Sequence, residues 1–450
     1  MLRIDRKDLR APARVLDLEL TAADAAGEEF AVVKQYNTVW CLSRIDGVAQ
    51  EISFWDVTSD ETISIPTLRD QLRRAGGERI VLKPSPPGTT NPGMTVVICT
   101  RDRPAGLHAT LLGLQRQTDS TFQVVVVDNA PSSSESADLV KRLGLARCEY
   151  VVEPRAGLSR ARNCGLKVVR TELVAWLDDD EIPDADWVRR LKQGFAHEAN
   201  PAAVCGGMFP AELEFEAQVR FEQYGGFNKG RGMAPEVLRA GTASVVSPLY
   251  PLPAFGAGGN MAFRTKALRA VGGFDPYLGA GTRTHGGEEI RALSLLLSAG
   301  HAVLHWPTAI TWHTHRREMP ALRKQFYGYS AGTTAFYASM IRSRPMAVFE
   351  VLRLTPHALR DLRHGSENLR SGHLPEDFPA DLQKASRRGL LEGAFIATAM
   401  ERPHKPLPKP IEKTSLEETP CRKLRIDFSL LQARRALPSL IRQDVPPIQT

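Results

Sequence analysis

Runs of Val, Ile and Leu that alternate with helix-like segments between residues 94 and 178 constrain the fold of this chain more than any other feature. The strand-like runs are MTVVICT, FQVVVVDN, CEYVVE and LVAWLDDD, and the segments between them have helical length and spacing. Continuous apolar strands that are joined by helices are typical of a parallel sheet buried on both faces. The sequence therefore predicts an α/β core.

Three further regions flank this core. Residues 1–90 contain short β-like runs and the helix-like segment IPTLRDQLRRAG, which predict a small N-terminal α+β module. The Pro- and Gly-rich stretch LKPSPPGTTNPG, residues 82–93, is typical of a linker before a core domain at 91–320. Residues 321–400 predict a helical, basic C-terminal extension, and residues 401–450 form a tail rich in proline and charge.

Composition restricts the environment of the chain but names no partner. A net charge of +7 permits contact with nucleotides or anionic lipid, and we expect no nucleic-acid partner. The six cysteines lack C-x-x-C spacing, and the sequence has neither a signal-peptide pattern nor a run as long as a membrane span. We therefore expect a cytoplasmic protein, whose basic helices beyond residue 320 either pack on the core or contact the inner membrane face.

Polar residues follow each of the four strand-like runs. The carboxyl ends of parallel strands share one edge of a sheet, and open α/β sheets bind ligands there. Each group also has a structural alternative, since Thr100 could cap a helix and Asp128 could stabilise a turn. Three adjacent aspartates, Asp178 to Asp180, follow the apolar run LVAWL, where unpaired carboxylates would be costly. A cation is therefore expected beside them.

The spacing of these aspartates predicts a divalent metal site. Alternate residues of an extended segment point the same way, so Asp178 and Asp180 would face one site and Asp179 the other side. Magnesium or manganese accepts one or two protein carboxylates while substrate phosphates complete its shell. Positive charge for a diphosphate would come from three arginines near the same edge, Arg101, Arg160 and Arg162. The combination predicts a nucleotide diphosphate ligand.

Seven motifs in this order resemble family 2 glycosyltransferases of the GT-A fold: VVICTRDRP, VVVVDNAPSS, EPRAGLSRARNCGL, LVAWLDDDEIPD, FGAGGNMAFR, VGGFD and GGEEI. The resemblance covers roughly residues 94–320. It implies a mixed sheet flanked by helices. It also implies an inverting transfer of a sugar from a nucleotide diphosphate donor, with Mg²⁺ or Mn²⁺ between the D-x-D motif and the diphosphate.

The resemblance also implies roles for residues of the donor and metal sites. The donor would be held by Thr100, Arg101, Asp128, Arg160, Asn163 and Asp178, with Asp179 grouped among them although its side chain is expected to face away. The metal would be held by Asp180 and Asp178, and by a histidine of TWHTHRRE, His313 before His315. A histidine alone is often structural, but two at alternate positions favour ligation.

Catalysis and acceptor binding are assigned by the same resemblance. The family commonly has Glu-Asp where this chain has Glu288 and Glu289, so Glu289 would be the base and Glu288 its support. Acidic residues also favour a helix start, which is the structural alternative for both. Gly258, Gly259 and Asn260 of FGAGGNMAFR would contact the acceptor, or the glycines would simply form a turn before a strand.

Two other functions are weighed against transfer of a sugar. A catalytically silent nucleotide-sugar or glycan-binding module would be expected to lose the acid at position 180 or 289, and both are present. A nucleotidyltransferase would be expected to carry a glycine-rich loop after the first strand, and CTRDRP has no glycine. The acceptor is left open among glycans, lipids, peptides and small metabolites, because fold does not decide it.

Overall fold

A computed structural model describes residues 1–21, 29–30, 36–58, 63–75, 80, 92–145, 147–242, 247–249, 257–363, 374–398 and 422–424. Most of the predicted linker at 82–93 lies outside the described residues. The predicted tail at 401–450 also lies outside them, apart from residues 422–424.

The N-terminal region forms a four-stranded sheet and one helix. Its strands are β1 (Leu2–Ile4), β2 (Ala13–Glu19), β4 (Thr38–Ile45) and β5 (Val48–Asp56), in the order β1-β5-β4-β2, while β3 (Glu29–Phe30) pairs with β6 (Ile63–Ser64). Helix α1 (Ile65–Ala75) covers one face, where it shares a core with Val39 and Cys41. Because side chains alternate along a strand, Trp40 and Leu42 point to the other face and pack against the rest of the protein.

A ten-stranded mixed sheet forms the centre of the protein. Its strands are β7 (Met94–Thr100), β8 (Phe122–Asn129), β9 (Cys148–Glu153), β10 (Leu173–Asp178), β11 (Glu181–Pro183), β12 (Ala203–Pro210), β13 (Glu236–Leu238), β14 (Met261–Arg264), β15 (Val303–His313) and β16 (Arg422–Leu424). The order is β11-β15-β12-β14-β10-β7-β8-β9-β16, with β13 paired to β15. Strands β10, β7, β8 and β9 are mutually parallel.

Helices cover both faces of this sheet. They are α2 (Pro104–Gln115), α3 (Glu135–Leu143), α4 (Leu158–Val168), α5 (Trp187–Phe195), α6 (Glu216–Gln223), α7 (Thr265–Ala270) and α8 (Glu288–Ser298). One face of β7, including Val97, packs on α4 and α8, and the other, including Val96, packs on α2 and α5. Three more helices follow: α9 (Met319–Ser343), α10 (Ala347–Arg363) and α11 (Ala380–Thr398). The predicted α/β class, with its N-terminal module and helical extension, is confirmed.

Two features bear on the environment of the chain. Four cysteines, Cys41, Cys99, Cys148 and Cys205, are buried free thiols, whereas Cys164 is disulfide-bonded, which the cysteine spacing did not indicate. Within the described ranges, no helix combines the length and the apolar character that crossing a bilayer requires.

Candidate active site

The parallel strands bring the predicted polar residues to one edge of the central sheet. Thr100 at the end of β7 is paired in register with Asp128 of β8, and Asp178 at the end of β10 is paired with Cys99. Asn129 is paired with Glu153 at the end of β9. The four strand ends therefore line one cleft, as their position after apolar runs predicts.

The three adjacent aspartates have different surroundings. Asp179 is buried and accepts hydrogen bonds from Thr100 Oγ1 at 2.8 Å and Arg103 Nη1 at 2.6 Å. Burial raises the pKa of Asp179 to about 6, although Arg103 and Thr100 oppose the rise. The Thr100 hydroxyl and the Asp179 carboxylate are thus hydrogen-bonded to each other. This arrangement favours a structural role for both residues over the predicted contact with a donor.

A buried arginine joins the first aspartate to the acidic pair of α8. Arg162 is 1% exposed and donates to Glu288 Oε1 at 2.9 Å, to the Gly258 carbonyl at 3.1 Å and to Asp178 Oδ1 at 3.4 Å. Burial raises the pKa of Glu288 to about 8, repulsion by Glu289 adds to the rise, and Arg162 opposes it. The charge of Arg162 is therefore used inside the protein, and its predicted contact with a diphosphate does not fit this position.

Asp180 and His313 face each other across a short gap. His313 Nε2 lies 3.7 Å from Asp180 Oδ1, and both side chains are largely buried. Burial lowers the pKa of His313 to about 3, so the ring is neutral near pH 7. Burial opposes ionisation of Asp180, but His313, Arg103 and Arg316 together lower its pKa. A neutral imidazole beside a carboxylate is a suitable donor set for a divalent cation.

The second histidine does not face this gap. His315 Nδ1 lies 2.9 Å from His313 Nδ1, and His315 Nε2 lies 3.1 Å from Glu222 Oε1, so both of its ring nitrogens have partners. Of the two predicted histidines, only His313 is placed for ligation. Across the described residues, no group of three or more His, Cys, Asp or Glu side chains is arranged to hold a metal. The site therefore fits an ion that takes few protein ligands and completes its shell with phosphate oxygens.

A fourth carboxylate, Glu181, lies beside Asp178. Glu181 is 1% exposed, and no hydrogen bond of good geometry reaches either of its carboxylate oxygens. Burial raises its pKa well above the usual range and the charge of Asp178 adds to this, while the Thr311 hydroxyl opposes it. A Cβ on Gly259 would overlap Glu181 Oε1 and lie 2.8 Å from Asp178 Oδ2. Glycine is thus required at position 259 by the carboxylates rather than by an acceptor.

The start of α8 sets the position of Glu289. Gly287 caps the helix with a φ of 94°, and a Cβ there would overlap the carbonyl oxygen of Gly332 in α9. This close approach fixes the first turn of α8 against α9. Glu289 is half-buried and forms no ion pair with any described residue, and its Cγ would lie 3.5 Å from a Cβ on Gly258. Its carboxylate therefore has no ion pair within the described ranges, although the charge of Arg162 lies near enough to interact with it.

The predicted donor residues divide into exposed and engaged side chains. Asp128 is buried; its Oδ2 accepts a hydrogen bond from Tyr150, and its Oδ1 has no hydrogen-bond partner among the described residues. Arg101 is exposed, and Arg160 is half-buried with no ion pair in the described part of the chain. Asn163, in contrast, uses its amide to bind both the N–H and the carbonyl of Phe274. Asp128 and Arg101 lie at the strand ends and Arg160 lies in the first turn of α4, whereas the side chain of Asn163, also in α4, holds the backbone at Phe274.

Asn260 holds strands together in the interior. It is fully buried, accepts a hydrogen bond from Trp187 Nε1 at 2.8 Å, and donates to the carbonyls of Gly207 and Ala309 at 2.8 Å each. No polar atom of the side chain is left for an acceptor. The predicted acceptor contact is therefore not supported by this position, because the amide replaces backbone pairing between strands.

Comparison with known proteins assigns this cleft to a family. Residues 95–272 match the family model described as Glycosyl transferase family 2, a stretch that contains the donor-side strand ends and Asn260. The chain contains a family 2 glycosyltransferase domain. The resemblance found in the motifs is thereby confirmed.

Relatives of this glycosyltransferase domain match only parts of the chain. A pre-mycofactocin glycosyltransferase of Mycobacterium tuberculosis is 32% identical over 275 residues, which are 59% of this chain and 52% of the relative. The chain thus spans about half the length of that relative. The succinoglycan biosynthesis protein ExoM of Rhizobium meliloti is 35% identical over 117 residues, 24% of this chain and 36% of that protein.

One solved structure matches more of the chain at lower similarity. It is the mannosyltransferase PcManGT from Pyrobaculum calidifontis in complex with GDP-Man and Mn2+. The two chains are 18% identical with a TM-score of 0.42, and the match covers 70% of this chain and 77% of that one.

Three charged side chains of this glycosyltransferase site were missed by the sequence analysis. Arg103 binds both Asp179 and Asp180, Glu181 contacts Gly259, and Arg316 lies near Asp180. All three stand inside motifs that were already singled out, CTRDRP, LVAWLDDDEIPD and TWHTHRRE. Proximity to a predicted ligand along the sequence was the signal that could have identified them.

Proposed function

We propose that the chain is a metal-dependent, inverting glycosyltransferase that moves a sugar from a nucleotide diphosphate donor to an acceptor hydroxyl. The observation that carries the proposal is the position of Glu289. Its carboxylate forms no ion pair among the described residues and lies beside Asp178, whose pKa it helps to raise. A carboxylate without an ion pair next to a predicted donor site is suited to general base catalysis.

The donor would be bound along the strand ends. The unpartnered Oδ1 of buried Asp128 is a hydrogen-bond acceptor for a ribose hydroxyl or a base N–H. Arg103 and Arg316, which both lower the pKa of Asp180, place two guanidinium groups where a diphosphate would need positive charge. A divalent cation held by Asp180 and His313, with Asp178 nearby, would supply further positive charge to the leaving diphosphate.

Glu289 would remove the proton of the acceptor hydroxyl as its oxygen attacks the anomeric carbon. Arg162 supports this step indirectly, because it fixes Asp178 and Glu288 on either side of Gly258. Burial raises the pKa of Glu288 to about 8, so Glu288 would hold a proton near pH 7 beside Glu289. Inversion follows if the acceptor oxygen attacks the anomeric carbon from the face opposite the diphosphate, which leaves with the electrons of the broken bond.

The acceptor of this chain is a separate question. The relative from Mycobacterium tuberculosis is named for pre-mycofactocin and is 32% identical over 59% of this chain. We propose pre-mycofactocin as the first acceptor to assay, followed by oligosaccharides and lipid-linked sugars.

We also propose that the protein is cytoplasmic and touches the inner membrane face through α10. Met346, Phe349 and Leu352 are exposed at helical spacing, and Arg353 follows them. Exposed apolar side chains next to basic ones favour an anionic lipid surface. Sedimentation with vesicles that contain anionic lipid should carry the wild-type chain, and Phe349→Ser should reduce this. Equal sedimentation of both would refute the contact.

The catalytic proposal is tested by separating donor binding from transfer. Asp180→Ala should abolish Mn²⁺-dependent donor binding in calorimetry. Glu289→Gln should keep donor binding and lower the transfer rate by about 10²- to 10⁴-fold. Glu198→Gln, an exposed glutamate after α5, is the matched control and should change neither.

The identity of the released product distinguishes the alternatives. Transfer of a sugar releases a nucleoside diphosphate, whereas nucleotidyl transfer releases pyrophosphate. Retained transfer by Glu289→Gln would contradict the base assignment. Failure of every nucleotide sugar to raise the melting temperature in the presence of Mn²⁺ would contradict the donor site, because a bound ligand stabilises the folded state.

A further inference from the structure

A chain of hydrogen bonds connects the N-terminal sheet to His313. Trp40 Nε1 of β4 donates to Glu222 Oε2 at 3.2 Å, and the other oxygen of this carboxylate lies 3.1 Å from His315 Nε2. His315 Nδ1 lies 2.9 Å from His313 Nδ1, and His313 Nε2 faces Asp180. The four side chains that precede Asp180 are all less than 9% exposed. The connection therefore runs through the interior from one sheet to the other.

The direction of each hydrogen bond follows from the chemistry of the groups. An indole N–H only donates and an ionised carboxylate only accepts. The Glu222 carboxylate therefore accepts one hydrogen bond from Trp40 and one from His315. When His315 carries a single ring proton and donates it from Nε2 to Glu222, its lone pair lies on Nδ1. His313 must then donate from Nδ1, which leaves the lone pair of His313 on Nε2, directed at Asp180.

The gap at the end of this chain is consistent with that assignment. His313 Nε2 and Asp180 Oδ1 are 3.7 Å apart, which is longer than a hydrogen bond. A proton on Nε2 would favour a shorter contact with the carboxylate. A lone pair and a carboxylate that face each other without a shared proton are arranged to bind a cation.

Packing holds the members of the chain in their orientations. The rings of Phe221 and His315 pack edge-on with their centroids 4.9 Å apart. The rings of Phe227 and His313 pack in the same way with their centroids 4.8 Å apart. A Cβ on Gly226, where φ is +57°, would overlap the carboxylate of Glu222. The loop after α6 is therefore shaped around Glu222, and neither imidazole can rotate without displacing a phenylalanine.

We infer that Trp40, Glu222 and His315 are positioning residues that hold His313 in the tautomer whose Nε2 can bind a divalent cation. The inference deepens the proposed function and rests on its metal site. It also gives the N-terminal sheet a role in catalysis, since Trp40 fixes the carboxylate at the start of the chain. Outer partners of a ligating histidine commonly orient the ring and set the tautomer in this way.

The first test measures Mn²⁺ affinity of the full-length chain by EPR titration. Glu222→Leu should weaken binding by about 10- to 100-fold. Glu222→Gln keeps one oxygen as the acceptor for His315 but turns its amide N–H towards the Trp40 N–H, so it should weaken binding only by about 3- to 10-fold. Trp40→Phe removes one donor to the carboxylate and should weaken binding by about 3- to 10-fold.

A matched control separates this effect from loss of a buried tryptophan. Trp55 lies in the same sheet, is buried, and donates its indole N–H to Ser53 rather than to Glu222. Trp55→Phe should therefore leave Mn²⁺ affinity unchanged. Equal affinities for wild type, Trp40→Phe and Glu222→Leu would overturn the inference while leaving the metal site itself intact. No Mn²⁺ binding by the wild-type chain would overturn the metal site and this inference together.

The second test requires no metal and reports the tautomer directly. In ¹⁵N-histidine-labelled, metal-free protein, His313 should carry its proton on Nδ1 and show a non-protonated Nε2. Trp40→Phe, which preserves the volume of an aromatic ring, should retain the fold and shift the signals of His315. A proton on Nε2 of His313 in the wild-type chain would overturn the assignment, even if Mn²⁺ binds.

Discussion

Replacing Arg162 by methionine should destabilise the protein by an amount that grows with pH. The guanidinium is 1% exposed and contacts Glu288, whose side chain is 5% exposed, and the Gly258 carbonyl. With a pKa of about 8, Glu288 is protonated at pH 6. The change then removes two buried hydrogen bonds, which corresponds to about 1–3 kcal/mol in the free energy of unfolding.

The cost is larger at pH 9 because Glu288 is then ionised in the wild-type protein. The pKa of this carboxyl is raised in the folded state, so its contribution to stability is complete at low pH and is lost as the pH rises through about 8. Arg162 limits this loss by stabilising the ionised form. Without it, a buried carboxylate is left unpaired, which costs about 3–5 kcal/mol. Arg162→Met also removes the ion pair with Asp178. Because the Asp178 side chain is 34% exposed, this pair contributes less to the free energy of unfolding.

Urea unfolding followed by tryptophan fluorescence at pH 6 and pH 9 would measure both values. The double variant Arg162→Met/Glu288→Gln has no ionisable carboxyl at position 288, so its destabilisation should be nearly the same at the two pH values. A single variant with the same cost at pH 6 and pH 9 would refute the reasoning. A destabilisation below about 1 kcal/mol at both pH values would also refute it, because the Arg162–Glu288 pair would then have to be exposed to solvent.

Three further changes test individual positions. Gly259→Ala places a methyl group against the buried Glu181 carboxylate, so it should lower the free energy of unfolding by about 1–3 kcal/mol and weaken Mn²⁺ binding. The control Gly232→Ala meets no atom within 4 Å and should change neither quantity. Arg316→Gln should raise the KM for the donor several-fold. Arg317→Gln, which loses a surface ion pair with Glu212 and a contact with the Phe215 ring, should not. Asn260→Ala should cost about 2–5 kcal/mol in thermal unfolding; an unchanged melting temperature with a higher acceptor KM would restore its predicted acceptor role.

The positions of the strand ends could be predicted because they depend on local pattern and on a general property of parallel sheets. Apolar runs fix where β7, β8 and β10 end, and parallel register then brings Thr100, Asp128 and Asp178 to one edge. The alternation of side chains likewise predicted that Asp179 would face away from Asp178 and Asp180. In the structure the Asp179 carboxylate accepts a hydrogen bond from Thr100.

The contacts that the sequence did not indicate involve partners far away along the chain. Arg162 lies 126 residues from Glu288, and nothing in RARN distinguishes a buried arginine from an exposed one. Asn163 binds Phe274 from 111 residues away, and Asn260 binds Gly207 from 53 residues away. A polar side chain near a motif can serve the ligand or the backbone, and only the tertiary contacts decide which.

The N-terminal module is packed directly on the central sheet. One face of its own sheet forms a core with α1, and the other face shares a core with Phe209 and Trp312 of the central sheet. Arg44 of β4 binds Asp184, directly after β11, at 2.6 Å. Because β11 is paired with β15 at Glu181 and His313, this ion pair also restrains the strand that follows the three aspartates. A catalytic fragment that begins at the predicted linker would expose this core and lose the Arg44–Asp184 ion pair, so we expect such a fragment to weaken the proposed metal site at Asp180 and His313.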